Sequence, residues 1–139
     1  VFRCRIINPG YAEGLALVSS KPISLLGDIN SNGVFTVGEL KGECVAGKIL
    51  VFPYGRGSTV GSYTLLRLKK RNLAPLAIIN RETEAIIAVG AAIADIPLVD
   101  RVEEDFFEKV RTGDLVTVNA IEGYVDINRS SAKTQEFRR

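Results

Sequence analysis

The sequence predicts an α/β domain with a parallel β-α-β-α-β core flanked by additional β-strands. Three short apolar runs, Ile49 to Phe52, Leu76 to Asn80 and Ile96 to Val99, have the length and composition of buried strands. The segments between them, Val60 to Arg71 and Glu84 to Ala94, read as helices. Strand, helix and strand in that order suit parallel pairing through right-handed crossovers.

The elements follow in chain order. Phe2 to Ile7 sets Phe2, Cys4 and Ile6 against Arg3 and Arg5, the alternation of a half-buried strand, and Asn8-Pro9-Gly10 turns it. Gly14 to Val18 is the next strand. Lys21 to Gly42 reads as loops with short strands, turned at Gly27-Asp28 and Asn32-Gly33. In the first helix Val60, Gly61, Thr64, Leu65 and Leu68 share one face. Arg67, Lys69, Lys70 and Arg71 gather in its last turns, where they complement the helix dipole. Glu84 to Ala94 is small and apolar all round, which predicts a buried helix. Glu103 to Val110 reads as a helical turn. Thr112-Gly113-Asp114 leads into a strand from Leu115 to Ala120, and Gly123 turns the chain into Tyr124 to Ile127. Residues 1–127 are therefore expected to form the domain. Residues 128–139 have little to bury except Phe137 and are expected to be a disordered tail.

Composition removes several function classes. The 139 residues suffice for one domain with a real core, and 46% apolar and 24% charged residues are ordinary globular values. The 18 basic and 16 acidic residues leave a net charge of +2, no footing for nucleic acid. No run is long and apolar enough to span a bilayer, and no secretion signal is visible, so the expected location is the cytoplasm. Histidine is absent, which excludes Ser-His-Asp and Cys-His nucleophiles and histidine-ligated zinc. Cys4 and Cys44 alone cannot hold an iron–sulfur cluster, and both are expected to be buried or half-buried free thiols.

The segment Gly55-Arg56-Gly57-Ser58-Thr59-Val60-Gly61-Ser62 carries the most chemistry. It follows a buried strand and precedes a helix, an arrangement that gathers backbone N–H groups around an anion. Ser58 or Thr59 capping the helix would explain part of it. Gly55, Gly57 and Gly61 together with Arg56 go beyond a cap, because glycines let backbone approach a ligand closely. The spacing is neither a Walker A motif nor a dinucleotide fingerprint. A serine alkoxide at such a turn, beside Arg56, would be stabilised and could take a proton from carbon next to a carboxylate bound to a metal. This chain has no convincing metal ligands, so that chemistry implies half a site and a partner. A non-catalytic module capturing a phosphorylated metabolite, and a purely structural subunit, stay open on the same residues.

Other candidates are weaker. Ser24 to Asp28 reads as a turn or a second site loop. Asp100-Arg101 follows the third core strand, where ligands gather in such sheets, or forms a surface ion pair. Glu103-Glu104-Asp105 reads as a helix start. Asn128-Arg129-Ser130 matches a glycosylation triplet by chance.

Val45 to Pro53 with the following Gly55 to Tyr63 resembles the swivel domain of the aconitase X family. So do Ala77-Ile78-Ile79-Asn80 and Gly90 to Leu98, and the resemblance runs from about Phe2 to Ile127. It implies a swivelling β/β/α fold and a heterodimer whose large subunit carries a 4Fe-4S cluster with one iron open to substrate. This chain would bind no cofactor. The implied activity is a hydro-lyase that dehydrates 5-phosphomevalonate to trans-anhydromevalonate 5-phosphate, in a modified mevalonate route to isoprenoids. The family's other activity dehydrates cis-3-hydroxyproline on the same architecture. The family's proton-accepting serine matches Ser58. Gly55, Arg56, Gly57, Thr59, Gly61 and Ser62 are then expected to bind the anionic substrate.

Overall fold

The computed structural model describes residues 1–57 and 59–128. In chain order these form β1 (Phe2–Arg3), β2 (Arg5–Asn8), β3 (Tyr11–Val18), α1 (Leu25–Asp28) and β4 (Lys48–Phe52). A 3-10 helix, Thr59–Tyr63, runs into α2 (Thr64–Lys70). Then come β5 (Ala77–Asn80), α3 (Ala85–Ala94), β6 (Leu98–Asp100), α4 (Glu104–Lys109), β7 (Leu115–Asn119) and β8 (Tyr124–Ile127).

The predicted core is present. β4, β5 and β6 are parallel neighbours, joined through α2 and α3. β3 adds a fourth parallel strand beside β4 and pairs antiparallel with β7, which pairs with β8. The full order is β1-β8-β7-β3-β4-β5-β6-β2.

β1 and β2 are one run of chain interrupted at Cys4, yet they stand at opposite ends of that order. Phe2 and Arg3 pair with Val125 and Tyr124, whereas Arg5 and Ile6 pair with Asp100 and Val99. The first strand therefore bridges both edges and closes the sheet on itself, which protects backbone groups that an open edge would expose.

The closed sheet has two buried faces. Leu50, Phe52, Ile78 and Leu98 pack outward against Leu65, Leu68, Ile87 and Ala91 of the helices. Ile49, Val51, Ile79 and Val99 pack with Val116, Val118, Val125 and Phe106 of α4 in a second cluster. Burial on both faces is why these strands read as continuous apolar runs. Each fully buried aliphatic side chain of β4 contributes about 1.5–3 kcal/mol. The loop leaving Phe52 thus starts from a fixed point.

Several expectations need correction. The alternation assigned to Phe2–Ile7 fails at Ile6, which is 37% exposed, while Ile7 packs on the helix-side core. A register shift between Ile6 and Asn8 accounts for it. β3 begins at Tyr11, not Gly14, because β7 pairs with it from there. Gly27-Asp28 is the end of α1 and not a turn; Ser24 caps that helix. Asn128, placed in the tail, is tied down: its backbone N–H donates to Leu115 and its amide donates to Thr117 at 2.9 Å. Residues 129–139, including the rest of the expected tail, lie outside the described residues. Finally, α3 is not buried all round, since Val89 and Ile93 are 47% and 40% exposed.

Candidate active site

The glycine-rich loop leaves the carboxyl end of β4 and is strapped to the segment before α1. Ile23 N–H donates to the Tyr54 carbonyl at 3.2 Å, and Arg56 N–H donates back to the Ile23 carbonyl at 3.0 Å. Ser24 then caps α1: its Oγ accepts from Gly27 N–H at 3.1 Å, and its own N–H donates to Asp28 Oδ2 at 2.9 Å. Asp28 in turn faces Arg56, whose Nη2 lies 3.4 Å from both carboxylate oxygens. The weaker candidate segment, Ser24 to Asp28, is therefore part of the same site. Its sequence signal was the Ser24 cap with an acid four residues on.

The glycines of the loop also meet a packing demand. A Cβ at Gly55 would stand 2.4 Å from Ile87 Cγ1 and 2.7 Å from Glu84 Oε1. Gly57 has φ +105°, and a Cβ there would meet Ser24 Oγ at 2.8 Å. Gly61 lies between Leu26 and Ile86. On α3, Gly90 lets the helix approach the Ser62 carbonyl, which would sit 2.9 Å from a Cβ. The space these residues leave is filled by the protein's own α1 and α3. Close approach is the use of glycine here too, but the approaching surface is internal.

The start of α3 is set just as firmly. Glu84 is its N-cap, and its carboxylate accepts from Ile86 and Ile87 N–H at 3.1 and 2.9 Å. That carboxylate occupies the anion-favouring end of the helix itself. One residue earlier, Thr83 N–H donates to Asp100 Oδ2 at 2.8 Å. Asp100 is fully buried and takes a two-pronged bond from Arg5 at 2.8 and 2.8 Å. Burial pushes its carboxyl up, but hydrogen bonds from Arg5 and Thr83 outweigh that and hold it below the usual range. Arg101 pairs with Glu82 at the surface, and its hydrogen bond holds that carboxyl down. Asp100-Arg101 is thus neither a ligand site nor a simple surface pair. Asp100 ties the first strand to the loop that carries Glu84.

The residues assigned to the site fall into three groups. Ser58, the catalytic candidate, lies outside the described residues, and of Thr59 the backbone alone is described, as the opening of the 3-10 helix. Arg56 and Gly57 are exposed. Gly55, Gly61 and Ser62 are buried, Ser62 at 6% exposure. A cleft of about 100 Å³ opens beside Arg56, between Lys21, Asp28, Val37 and Glu39.

Cys4 and Cys44 are half-buried free thiols. Burial, then the nearby Asp100 charge, push the Cys4 thiol up to about 11. Among the described residues no three of His, Cys, Asp or Glu are grouped so as to hold a metal. No helix among them is long and apolar enough to cross a membrane.

A closed, partly parallel sheet with α2 and α3 on one face and α4 on the other, and a glycine-rich loop leaving its central strand, define a swivelling β/β/α domain. The chain belongs to the aconitase X swivel domain family, whose model matches residues 1–127. It is 60% identical to the phosphomevalonate dehydratase small subunit of Archaeoglobus fulgidus, over 91% of this chain and 97% of that one. It is 51% identical to the protein of the same name from Methanosarcina mazei, over 91% and 90% of the two chains. A crystal structure of Thermococcus kodakaraensis aconitase X in its holo-form superposes with a TM-score of 0.85 at 50% identity, covering 91% of this chain and 96% of that one.

Proposed function

We propose that this chain is the small subunit of a cytoplasmic phosphomevalonate dehydratase, working with a large subunit that binds the iron–sulfur cluster. The observation that carries the reading is the 60% identity with the Archaeoglobus fulgidus small subunit over nearly the full length of both chains. The residues present here do not fit a cluster, since the chain has two separated cysteines and, among the described residues, no three of His, Cys, Asp or Glu stand together. The cluster's Lewis-acid chemistry belongs to the partner.

This chain supplies the base. Ser58 Oγ, as the alkoxide, accepts the proton from the carbon next to the substrate carboxylate; the freed electron pair forms the C=C bond, the C–O bond on the neighbouring carbon breaks, and the hydroxide released and the proton taken up by Ser58 together make the one water lost. Arg56, with the N–H groups of Gly57 and Thr59, holds anionic oxygens of the substrate. Asp28 supports this by holding the guanidinium at the loop. Gly55 and Gly61, on either side of Ser58, pack closely against α3 and against Leu26 and Ile86.

Anaerobic reconstitution with the large subunit tests the reading. Dehydration of (R)-5-phosphomevalonate is expected. Turnover of cis-3-hydroxy-L-proline alone would transfer the chain to the family's other activity, and turnover of neither would overturn the assignment.

A further inference from the structure

The geometry points to Asn80 as a positioning residue, whose amide fastens the root of the glycine-rich loop to the turn that starts α3. The inference rests on the reading of Ser58 as the base and adds what holds the loop that carries it.

Asn80 is out of character with its strand. β5 reads Ala-Ile-Ile-Asn, all of it buried, and Asn80 is 0% exposed. An amide taken wholly out of water is costly unless it is bonded. Both ends of this one are. Nδ2 donates to the Phe52 carbonyl at 3.0 Å, and Oδ1 accepts from Thr83 Oγ1 in a longer contact of 3.4 Å. Phe52 is the last residue of β4 and stands opposite Asn80 in the β4–β5 register. The place therefore calls for a donor and an acceptor on one short group. A carboxylate would set a second acceptor against the Phe52 carbonyl, and an aliphatic side chain would offer neither group.

The residues that follow repeat the grip. The Pro53 carbonyl accepts from the N–H groups of Arg81 and Glu82 at 2.9 and 3.2 Å. Successive carbonyls at the exit of β4 are thus held by successive residues of the β5–α3 turn. That turn is itself anchored to the end of β6. Arg101 N–H donates to the Arg81 carbonyl at 3.0 Å, and Thr83 N–H donates to Asp100. Glu84 then caps α3 beside Gly55. Asn80 is the side chain that joins the chain leaving β4 to the chain entering α3. The loop's other strap, from Arg56 to Ile23 and Asp28, runs to α1 and does not involve it.

This division predicts a particular defect. The α1 strap still holds the Arg56 guanidinium when Asn80 is replaced, so substrate binding persists. The root of the loop and the start of α3 lose their common tie, and a misplacement of about 1 Å at a reacting group costs about 10²-fold in rate. Asn119 supplies the comparison. It too is a buried amide with its bonds made, to Glu122 and to the N–H groups of Ile121 and Glu122. It pairs with Tyr11, at the opposite end of β3 from Val18, which pairs with Val51 of β4.

The test uses the complex reconstituted anaerobically with the large subunit. Asn80→Ala is expected to lower kcat for 5-phosphomevalonate dehydration by about 10²-fold with KM unchanged, while Asn119→Ala leaves both unchanged. Asn80→Leu, which fills the space again, is expected to do the same and stands in if the alanine variant does not assemble. A second measurement, amide hydrogen exchange followed by NMR in the full small-subunit chain, needs no turnover. Exchange at the Arg81 and Glu82 N–H groups is taken relative to Ile78 N–H in the core, so that overall stability cancels. That ratio should rise about tenfold in Asn80→Ala and stay unchanged in Asn119→Ala. A wild-type kcat in the Asn80 variants, an equal loss in Asn119→Ala, or an unchanged exchange ratio overturns the assignment. Failure of both Asn80 variants to fold also overturns it, by making Asn80 a residue of the core alone. A raised ratio alongside a wild-type complex that dehydrates neither substrate supports the grip on the loop and overturns the proposed activity.

Discussion

The Arg56 guanidinium reaches back to the Asp28 carboxylate, with Nη2 3.4 Å from both oxygens. Arg56 is 55% exposed, so the pair is screened by water and holds little folding energy. Its value is positional, since it ties the loop's one cation to the end of α1. Arg56→Ala should therefore cost less than about 1 kcal/mol of stability in a urea melt. In the assembled enzyme it should lower kcat/KM by about 10²-fold. Equal loss of stability and activity would make Arg56 a structural residue only.

Gly55 is held between α3 and the loop with no room for a side chain. A Cβ 2.4 Å from Ile87 Cγ1 and 2.7 Å from Glu84 Oε1 would push the loop away from the helix. Gly55→Ala is expected to lose about 1–3 kcal/mol of stability in denaturant unfolding, with turnover falling alongside. A variant as stable as the wild type would show that the loop has slack that its packing does not suggest.

Asp100 is buried and its carboxyl is held low by Arg5 and Thr83 against the effect of burial. A carboxyl with a lowered folded-state pKa adds stability that is complete above its unfolded value and lost as pH falls through the folded one. Asp100→Asn should cost about 3 kcal/mol at neutral pH, near the low end for a broken buried pair because Arg5 stays partly in water. The gap between wild type and variant should narrow below about pH 4. Thermal melts across pH check the sign; a gap that widens in acid would contradict the assignment.

Much of the architecture was legible because it is written locally. The apolar runs at β4, β5 and β6 are unbroken since both faces of those strands are covered. The location of the loop followed from the strand before it and the helix after it. What escaped was set by distant partners. Alternation in Phe2–Ile7 marks a strand but cannot say that its halves pair with opposite edges of one sheet. Asp100 looked exposed because the arginine that neutralises it is 95 positions away. The glycines of the loop suggested close approach, but not that Ile87, Glu84 and Ser24 would stand beside Gly55 and Gly57. The apolar character of α3 predicted burial all round, whereas Val89 and Ile93 are exposed.

The central claim is that Ser58 is the base, and the turnover of the reconstituted Ser58→Ala complex tests it most directly. With assembly intact by size-exclusion chromatography, the rate of 5-phosphomevalonate dehydration should fall by about 10²–10⁴-fold, the usual worth of a positioned proton acceptor. A complex that assembles and turns over at close to the wild-type rate would contradict the account.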